Sequence, residues 1–341
     1  MRLSVPAVRI ADVETCDFGS IPSYDTASLL RLACPDTWER YLESQVSRRF
    51  MAELGVERRH LTHVPGQVPC PGRRTAIDLA RSAVDRLWAR RPELLSRLDA
   101  IIFVSTSNPN PCNCQAALLA EQVGLTASCY DLKSGCSGGV LGVAQAALLI
   151  GAGCERVLVV MAENLSQLTP AQDLRALLSV GDGAACVVVE KGEGPGFVSV
   201  LHETAPEFAP ALAMRTPFPP ARDDARYVYE FSDAPAVRDF VHDRWRAQFR
   251  DSMEAAGMRA GDLAHSFFHQ THGAQVDGLV NDLGLEPARV ARVVQDHGNM
   301  GSPTFAVAMA RTFSRIAPGQ RYLMAAVGGG LSSCAIVAEH R

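Results

Sequence analysis

One cysteine of the chain lies among small residues, in a setting where it could do chemistry. Cys136 is the third residue of S-G-C-S-G-G (134–139), directly before the apolar run V-L-G-V-A-Q-A-A-L-L-I-G-A-G. Where a turn becomes a helix, unpaired backbone N–H groups and the helix dipole favour a thiolate over a thiol. Neighbouring glycines let a substrate approach closely. We therefore predict that Cys136 is a nucleophile; the alternative is one more buried cysteine before a helix.

Two other polar residues are candidates for the same site. His269 follows the apolar run S-F-F, and Asn299 lies in H-G-N-M-G-S (297–302). His272 and His297 are rivals to His269, because they lie near it or near Asn299 in the sequence. Asn299 could instead be an ordinary helix cap, a role compatible with donating a hydrogen bond to a substrate. The choice among them depends on the elements that position them.

Short β-branched runs alternate with helical patterns along the chain, which indicates an α/β fold. Apolar residues at helical spacing, ending near Gly or Pro, indicate the helices. Residues 204–236 are rich in Pro, Arg and Asp and indicate a long connection, while residues 1–46 give no clear pattern. The predicted strands cover 99–106, 156–163, 183–190, 265–270, 321–328 and 332–339; the predicted helices cover 74–91, 114–125, 137–153, 274–285 and 302–316.

The chain also repeats itself. The order strand, helix, strand, small-residue turn, helix, strand, glycine turn, strand begins at A-I-I-F-V-S-T-S-N and again at S-F-F-H-Q-T-H-G. We predict a pseudo-twofold pair of halves, 1–195 carrying the cysteine and 196–341 carrying the histidine and asparagine. In this alignment Cys136 matches Asn299, and His269 matches Ser105 at a strand end. The symmetry should therefore bring Cys136, His269 and Asn299 toward one centre.

Two glycine turns occupy matching places in the halves. The turn V-G-G-G-L (327–331) between two strands can aim a backbone N–H at a developing oxyanion, although it could be only a tight connection. The matching turn Gly181-Asp182-Gly183 is interpreted as structural. Neither turn has the G-x-G-x-x-G or P-loop pattern, so the sequence gives only weak support for a nucleotide site.

Composition narrows the class of protein. The 341 residues carry a net charge of −4 and no basic stripe, which argues against nucleic acid or an anionic membrane as partner. No apolar run is long enough to span a bilayer, and the first residues lack the apolar core of a signal peptide. The ten cysteines follow no disulfide or zinc spacing. We expect a reduced, cytoplasmic protein.

With Cys136, His269 and Asn299 in this order, the chain resembles the thiolase-fold condensing enzymes, and among them the β-ketoacyl-acyl carrier protein synthase III branch. The resemblance covers roughly 47–341. It implies a five-layered αβαβα fold built from two pseudo-twofold-related halves. The stretches that carry it are G-V-E-R-R-H-L-T (55–62), S-G-C-S-G-G, S-V-G-D-G-A-A-C-V-V-V-E (179–190), F-H-Q-T-H-G, H-G-N and V-G-G-G-L-S-S.

The resemblance also implies a reaction. Cys136 would accept an acyl group from a thioester, and His269 and Asn299 would stabilise the enolate formed when a malonyl-type thioester loses CO2. The backbone N–H groups of Cys136 and Gly329 would hold the oxyanion. No metal or redox cofactor is implied. The expected partners are acyl and malonyl thioesters carried on coenzyme A or acyl carrier protein, and a second copy in a homodimer.

Departures from the family pattern favour a specialised pathway, such as polyketide or modified fatty acid synthesis. The segment S-R-R-F-M-A-E-L-G-V lacks the usual Trp and has Glu53 near the place of an Arg. The helix after His269 is acidic rather than basic, and the loop N-P-N-P-C-N-C lacks a Phe that shapes the acyl pocket. Two alternatives remain: acyl transfer to an alcohol, amine or carrier protein without decarboxylation, and a non-catalytic partner subunit.

Overall fold

The computed structural model describes residues 1–67, 72–110, 112–213 and 230–341. About half of the predicted connection 204–236, residues 214–229, lies outside these residues. The strands are β1 (Arg2–Val5), β2 (Val8–Thr15), β3 (Ser23–Asp25), β4 (Arg58–His60), β5 (Ala100–Val104), β6 (Ser128–Leu132), β7 (Arg156–Asn164), β8 (Asp182–Lys191), β9 (Phe197–Thr204), β10 (Leu212–Ala213), β11 (Glu230–Phe231), β12 (Leu263–Phe268), β13 (Arg321–Gly328) and β14 (Ser332–Glu339).

The α-helices connect these strands, and several of them end at a glycine with positive φ, such as Gly55, Gly124 and Gly284. They are α1 (Thr26–Ala33), α2 (Trp38–Glu43), α3 (Gln45–Leu54), α4 (Ala76–Arg90), α5 (Pro92–Leu95), α6 (Gln115–Val123), α7 (Gly138–Gly151), α8 (Leu165–Leu168), α9 (Leu174–Ser179), α10 (Ala234–Asp239), α11 (Trp245–Ala255), α12 (Gly273–Leu283), α13 (Val294–His297) and α14 (Thr304–Ala310).

Two five-stranded sheets form the framework, in the orders β2-β8-β7-β5-β6 and β1-β9-β14-β13-β12. In the first, β5 runs parallel to β6 and β7, while β8 runs antiparallel to β7 and β2. The second repeats this plan, with β12 parallel to β13 and β14 antiparallel to β13 and β9. The predicted duplication is therefore visible in the strand order.

The helices complete five layers. Helices α7 and α14 lie between the sheets, where the Gly/Ala-rich α7 is buried on almost every face. Helices α4 and α6 cover the outside of the first sheet, and α11 and α12 lie on the outer side of the second. Three apolar clusters fill the interfaces: one surrounds the central helices between the sheets, and the other two lie beneath the outer helices of the first and the second sheet. The predicted five-layered αβαβα architecture is confirmed.

All six predicted strands and all five predicted helices occur. The bounds of β13 and β14 match the prediction, and the other elements differ at one or both ends. The helix predicted over 302–316 is shorter, because α14 ends at Ala310 and a separate 3-10 turn, Phe313–Arg315, follows. Residues 1–46, for which the sequence showed no clear pattern, include β2 at an edge of the first sheet and β1, which pairs with β9 in the second. The boundary proposed between residues 195 and 196 falls between β8 and β9.

One predicted element of the repeat is wrong. A strand was expected just before the H-G-N turn, as β6 precedes the Cys136 turn. The structure has only an isolated bridge between Ser266 and Val290, followed by α13. Instead of strand pairing, the backbone N–H groups of Val293 and Val294 donate to the side-chain oxygen of Gln270, at 2.9 and 3.1 Å.

Candidate active site

Cys136 lies in a 3-10 turn, Gly135–Ser137, between β6 and α7. The turn packs against the glycine turn of the other half. Gly135 has φ +54°, and a Cβ there would lie 2.5 Å from the backbone nitrogen of Gly329. A Cβ on Gly328 would lie 2.5 Å from the backbone nitrogen of Cys136. Only glycines allow the two turns to approach so closely.

Serine hydroxyls hold the cysteine turn in place. The Ser137 and Ser332 hydroxyl oxygens are 2.7 Å apart, and those of Ser134 and Ser332 are 3.2 Å apart. Ser137 also donates to the backbone carbonyl of Ser134, at 2.7 Å. Because Ser332 is the first residue of β14, these bonds fix the Cys136 turn to the second half of the molecule.

The ionisation of the Cys136 thiol differs from the sequence prediction. Burial raises its pKa to about 12, and the negative charge of Glu163 acts in the same direction. The opposing effect of the Cys136 backbone N–H is smaller. These surroundings favour the thiol in the resting site, in contrast to the thiolate that the helix N-terminus was expected to favour.

His269 directly follows β12 and is 1% exposed. Its backbone N–H donates to the carbonyl of Ala325 at 2.9 Å, which fixes the residue beside β13. Burial lowers the pKa of the imidazole to about 4, partly opposed by a backbone group of Gly301. The ring is therefore neutral at pH 7, and its Nδ1 has no hydrogen-bond partner among the described residues. A neutral imidazole can donate one hydrogen bond without carrying a charge.

Asn299 is held by main chain on both sides. Its backbone N–H donates to the carbonyl of Ser179 at 2.7 Å, and its carbonyl accepts from Gly181 at 2.9 Å. The side-chain oxygen accepts from the backbone N–H of Gly301 at 2.9 Å. Since that contact occupies the amide oxygen, the amide nitrogen is the end left to donate. Asn299 does not cap α14, because Pro303 occupies the N-cap position of that helix.

The rival histidines have other surroundings. His272 is the N-cap of α12, where its Nδ1 accepts from the backbone N–H of Gln275. His297 has its Nδ1 3.2 Å from Nδ1 of His60 and its Nε2 3.1 Å from the Arg311 guanidinium. Burial is the main cause that lowers the pKa of His297, to about 3. Both rings are thus already engaged in local contacts.

The two glycine turns follow the predicted symmetry. Gly329 lies in the connection between β13 and β14, against the Cys136 turn. In the other half, a Cβ on Gly181 would lie 1.9 Å from the carbonyl oxygen of His297, so the G-D-G turn packs against the Asn299 turn. Asp182 is buried and accepts from the backbone and hydroxyl groups of Thr62 and Ser166, as a structural residue would.

Sequence reasoning missed one residue of the site. Glu163, near the end of β7, is 1% exposed and lies between the Cys136 turn and the segment after Asn299. The available signal was the repeat, in which the acidic Glu163 of R-V-L-V-V-M-A-E matches Gly328 of R-Y-L-M-A-A-V-G. A carboxylate at the end of a buried strand is costly unless hydrogen bonds satisfy it.

The part of the chain that the structure describes has no helix long and apolar enough to cross a membrane. Within the same residues, no group of three His, Cys, Asp or Glu side chains could hold a metal ion.

Family models match both halves. The model for the C-terminal part of 3-oxoacyl-[acyl-carrier-protein] synthase III matches residues 253–340, and that for 3-oxoacyl-[acyl-carrier-protein] synthase III matches residues 130–205. Together they include Cys136, His269 and Asn299.

Comparison with individual proteins points to the same family. A β-ketoacyl-[acyl-carrier-protein] synthase III from Deinococcus deserti is 30% identical over 271 residues, 75% of each chain. An acetoacetyl CoA synthase from Streptomyces sp. strain CL190 is 28% identical over 245 residues, 68% of this chain and 74% of the relative. The crystal structure of the synthase III from Thermus thermophilus superposes with a TM-score of 0.82 at 25% identity, covering 97% of this chain and 99% of that one.

The two stacked sheets with paired central helices define a thiolase-fold condensing enzyme. Within that class, the chain belongs to the 3-oxoacyl-[acyl-carrier-protein] synthase III family. It is an acyltransferase of the ketosynthase III type, and its reaction class is decarboxylative Claisen condensation.

Proposed function

We propose that Cys136 carries the acyl group and that His269 and Asn299 stabilise the enolate of a malonyl-type thioester. The observation that supports this most directly is the orientation of Asn299, whose amide oxygen is engaged by Gly301 and whose amide nitrogen is left to donate. The neutral His269 supplies a second donor without a charge that would have to be buried.

The first half-reaction is acyl transfer. The sulfur of Cys136 attacks the thioester carbonyl; the new bond joins Sγ to the acyl carbon, and the old carbon–sulfur bond breaks. The thiol proton ends on the departing coenzyme A or carrier thiol, so the step is balanced. We assign the backbone N–H groups of Cys136 and Gly329 to the tetrahedral oxyanion, because the two turns that carry them are in contact.

The second half-reaction is condensation. The malonyl carbon–carboxylate bond breaks and releases CO2, and its electron pair forms an enolate whose oxygen accepts from His269 and Asn299. The enolate carbon then attacks the acyl carbon on Cys136, and the sulfur leaves and regains a proton. Donors fixed before the charge develops stabilise the transition state without reorganisation.

We place the enzyme in a specialised pathway rather than in the initiation of fatty acid synthesis. The acidic side chains of α12, which follows His269, are paired: Asp277 with Arg292 at 2.5 Å, and Asp282 with Arg246. A helix neutralised in this way lacks the basic face expected for docking an acidic carrier protein. The relative named acetoacetyl CoA synthase supports a coenzyme A thioester as substrate.

A further proposal concerns how two copies of the chain assemble. We propose a homodimer joined at β6, one of the two edge strands of the first sheet in the described part of the chain. A strand edge of this kind needs a partner or protection.

We propose a cytoplasmic location, since the nine cysteines that the structure describes are all free thiols, as expected in a reducing compartment.

A direct test uses a panel of acyl coenzyme A thioesters and intact-mass detection, followed by malonyl coenzyme A and measurement of CO2. The proposal predicts an acyl adduct that maps to Cys136 and disappears as CO2 is released. Condensation should fail in Asn299→Ala, whereas an enzyme that only transfers acyl groups should keep at least part of its activity.

A further inference from the structure

Glu163 is a buried carboxylate that the proposed mechanism does not use. It is 1% exposed near the end of β7, and no basic side chain is among its hydrogen-bond partners in the described residues. Burial raises its pKa, and hydrogen bonds from neutral groups oppose that shift. A buried carboxylate without a cationic partner destabilises a fold unless its donors are numerous.

The donors come from two segments that flank the site. One segment follows β5, where the backbone N–H of Thr106 and of Ser107 each lie 3.1 Å from the carboxylate, and the Ser107 hydroxyl lies 2.6 Å away. The Ser105 and Thr106 hydroxyls add contacts at 3.3 and 3.1 Å. The other segment follows Asn299, where the Ser302 hydroxyl donates at 3.0 Å.

The contact with Ser302 connects Glu163 to both proposed donors. Gly301, the preceding residue, gives its backbone N–H to the Asn299 side chain and has a backbone group next to His269. A Cβ on Gly301 would lie 3.2 Å from Cγ of Glu163, so the carboxylate also packs against this residue. Whatever fixes Gly301 and Ser302 therefore fixes the direction of the Asn299 amide.

Glu163 also acts on the nucleophile. Its charge is the second cause, after burial, that raises the pKa of Cys136. Through one side chain, the structure thus connects the cysteine of the first half with the asparagine and histidine of the second.

We infer that Glu163 is a positioning residue for the condensation step, which holds the Gly301–Ser302 segment so that the amide of Asn299 faces the enolate oxygen. This inference rests on the proposed function. Acylation should depend less on Glu163, because the serine hydrogen bonds that hold the Cys136 turn do not involve it. Loss of the Glu163 charge would only make the Cys136 thiol easier to ionise.

The test compares Glu163→Gln, Ser302→Ala, Asn299→Ala and the double variant Glu163→Gln/Asn299→Ala with the wild type. Two rates are measured: formation of acyl-Cys136 by mass spectrometry, and CO2 release from malonyl coenzyme A. We expect Glu163→Gln and Ser302→Ala to slow CO2 release by about tenfold or more and acylation by less than about threefold. The double variant should be no slower than Asn299→Ala alone, since Glu163 acts through Asn299.

Glu190→Gln is the matched control, because Glu190 is another buried strand carboxylate, 5% exposed and paired with Arg156 and Arg9. It should reduce thermal stability without changing the ratio of the two rates.

Equal slowing of both half-reactions in Glu163→Gln, or additive losses in the double variant, would overturn the inference. A wild type that forms acyl-Cys136 but releases no CO2 contradicts the proposed function itself. A wild type that condenses while Glu163→Gln keeps the full rate contradicts only the role of Glu163.

Discussion

Gly135 and Gly329 come from opposite halves of the chain, yet a Cβ on Gly135 would lie 2.5 Å from the backbone nitrogen of Gly329. The contact joins the turn that carries Cys136 to the turn whose Gly329 N–H we assign to binding the oxyanion. The other pair of turns meets in the same way, with Gly181 against the carbonyl of His297. Each half thus contributes one turn with a predicted site residue, Cys136 or Asn299, and one glycine turn that packs against the site turn of the other half.

Replacing Gly135 with Ala should disrupt the site. The positive φ costs about 1–2 kcal/mol for a residue with a Cβ, and the collision with Gly329 adds to that cost. We expect a lower melting temperature and at least a tenfold slower formation of acyl-Cys136, measured by intact mass. Gly124→Ala is the matched control, since Gly124 has φ +70° but no atom within 4 Å of the added Cβ. Gly124→Ala should lose stability and keep the acylation rate; equal acylation in both variants would contradict the role of this contact.

Replacing Asn299 with Asp tests the donor directly. Asp has the same shape and can still accept from Gly301, but an ionised carboxylate cannot donate to an enolate. CO2 release should fall about 10²–10³-fold, the usual cost of losing one oxyanion donor. Acylation of Cys136 should change far less. If Asn299→Asp condenses at the wild-type rate, the amide of Asn299 has no part in the reaction.

The raised pKa of Cys136 predicts an unusual pH dependence of alkylation. Below its pKa, the thiolate fraction of a cysteine grows tenfold for each pH unit. Because the pKa of Cys136 is raised to about 12, iodoacetamide labelling should keep rising from pH 7 to pH 10. Free N-acetylcysteine, run in parallel, should level off above its pKa. A plateau of Cys136 labelling near pH 8 would show that the thiolate is stabilised after all.

Two buried histidines should make the fold sensitive to acid. The pKa of His269 is lowered to about 4 and that of His297 to about 3, from an ordinary value of 6.5. The unfolded chain therefore binds more protons in this range, so stability is complete above about pH 6.5 and is lost as the pH falls toward 4.

The comparison is between urea unfolding at pH 7.5 and at pH 4.5. His297→Gln, which keeps an acceptor for Arg311, should lose less stability between these values than the wild type. His242→Gln, at an exposed position, serves as control and should behave as the wild type does. An unchanged loss in His297→Gln would mean that His297 does not contribute to the acid sensitivity.

The sequence predicted the fold well because two signals reinforced each other. Buried β-branched runs marked the central strands, and the repeat aligned Cys136 with Asn299 and Ser105 with His269. Both His269 and Ser105 indeed follow their strands directly. The roles assigned to Cys136, His269, Asn299 and Gly329 remain predictions that the experiments above address.

Other features could not be predicted because they depend on contacts between distant residues. The raised pKa of Cys136 follows from burial of the thiol and from the charge of Glu163, 27 positions away in the sequence. At the place of the missing strand before Asn299, the side chain of Gln270 accepts from the backbone N–H groups of Val293 and Val294. The pairing of β1 with β9 joins residues almost 200 positions apart.

The most direct test of the account is one sequential experiment on the wild-type enzyme. The protein is loaded with an acyl thioester until mass spectrometry shows a single adduct on Cys136, then freed of excess thioester and mixed with malonyl coenzyme A. The account predicts that one CO2 is released for each acyl group lost from Cys136, with a β-ketoacyl thioester as product. Loss of the acyl group without CO2, or an adduct on a residue other than Cys136, would contradict it.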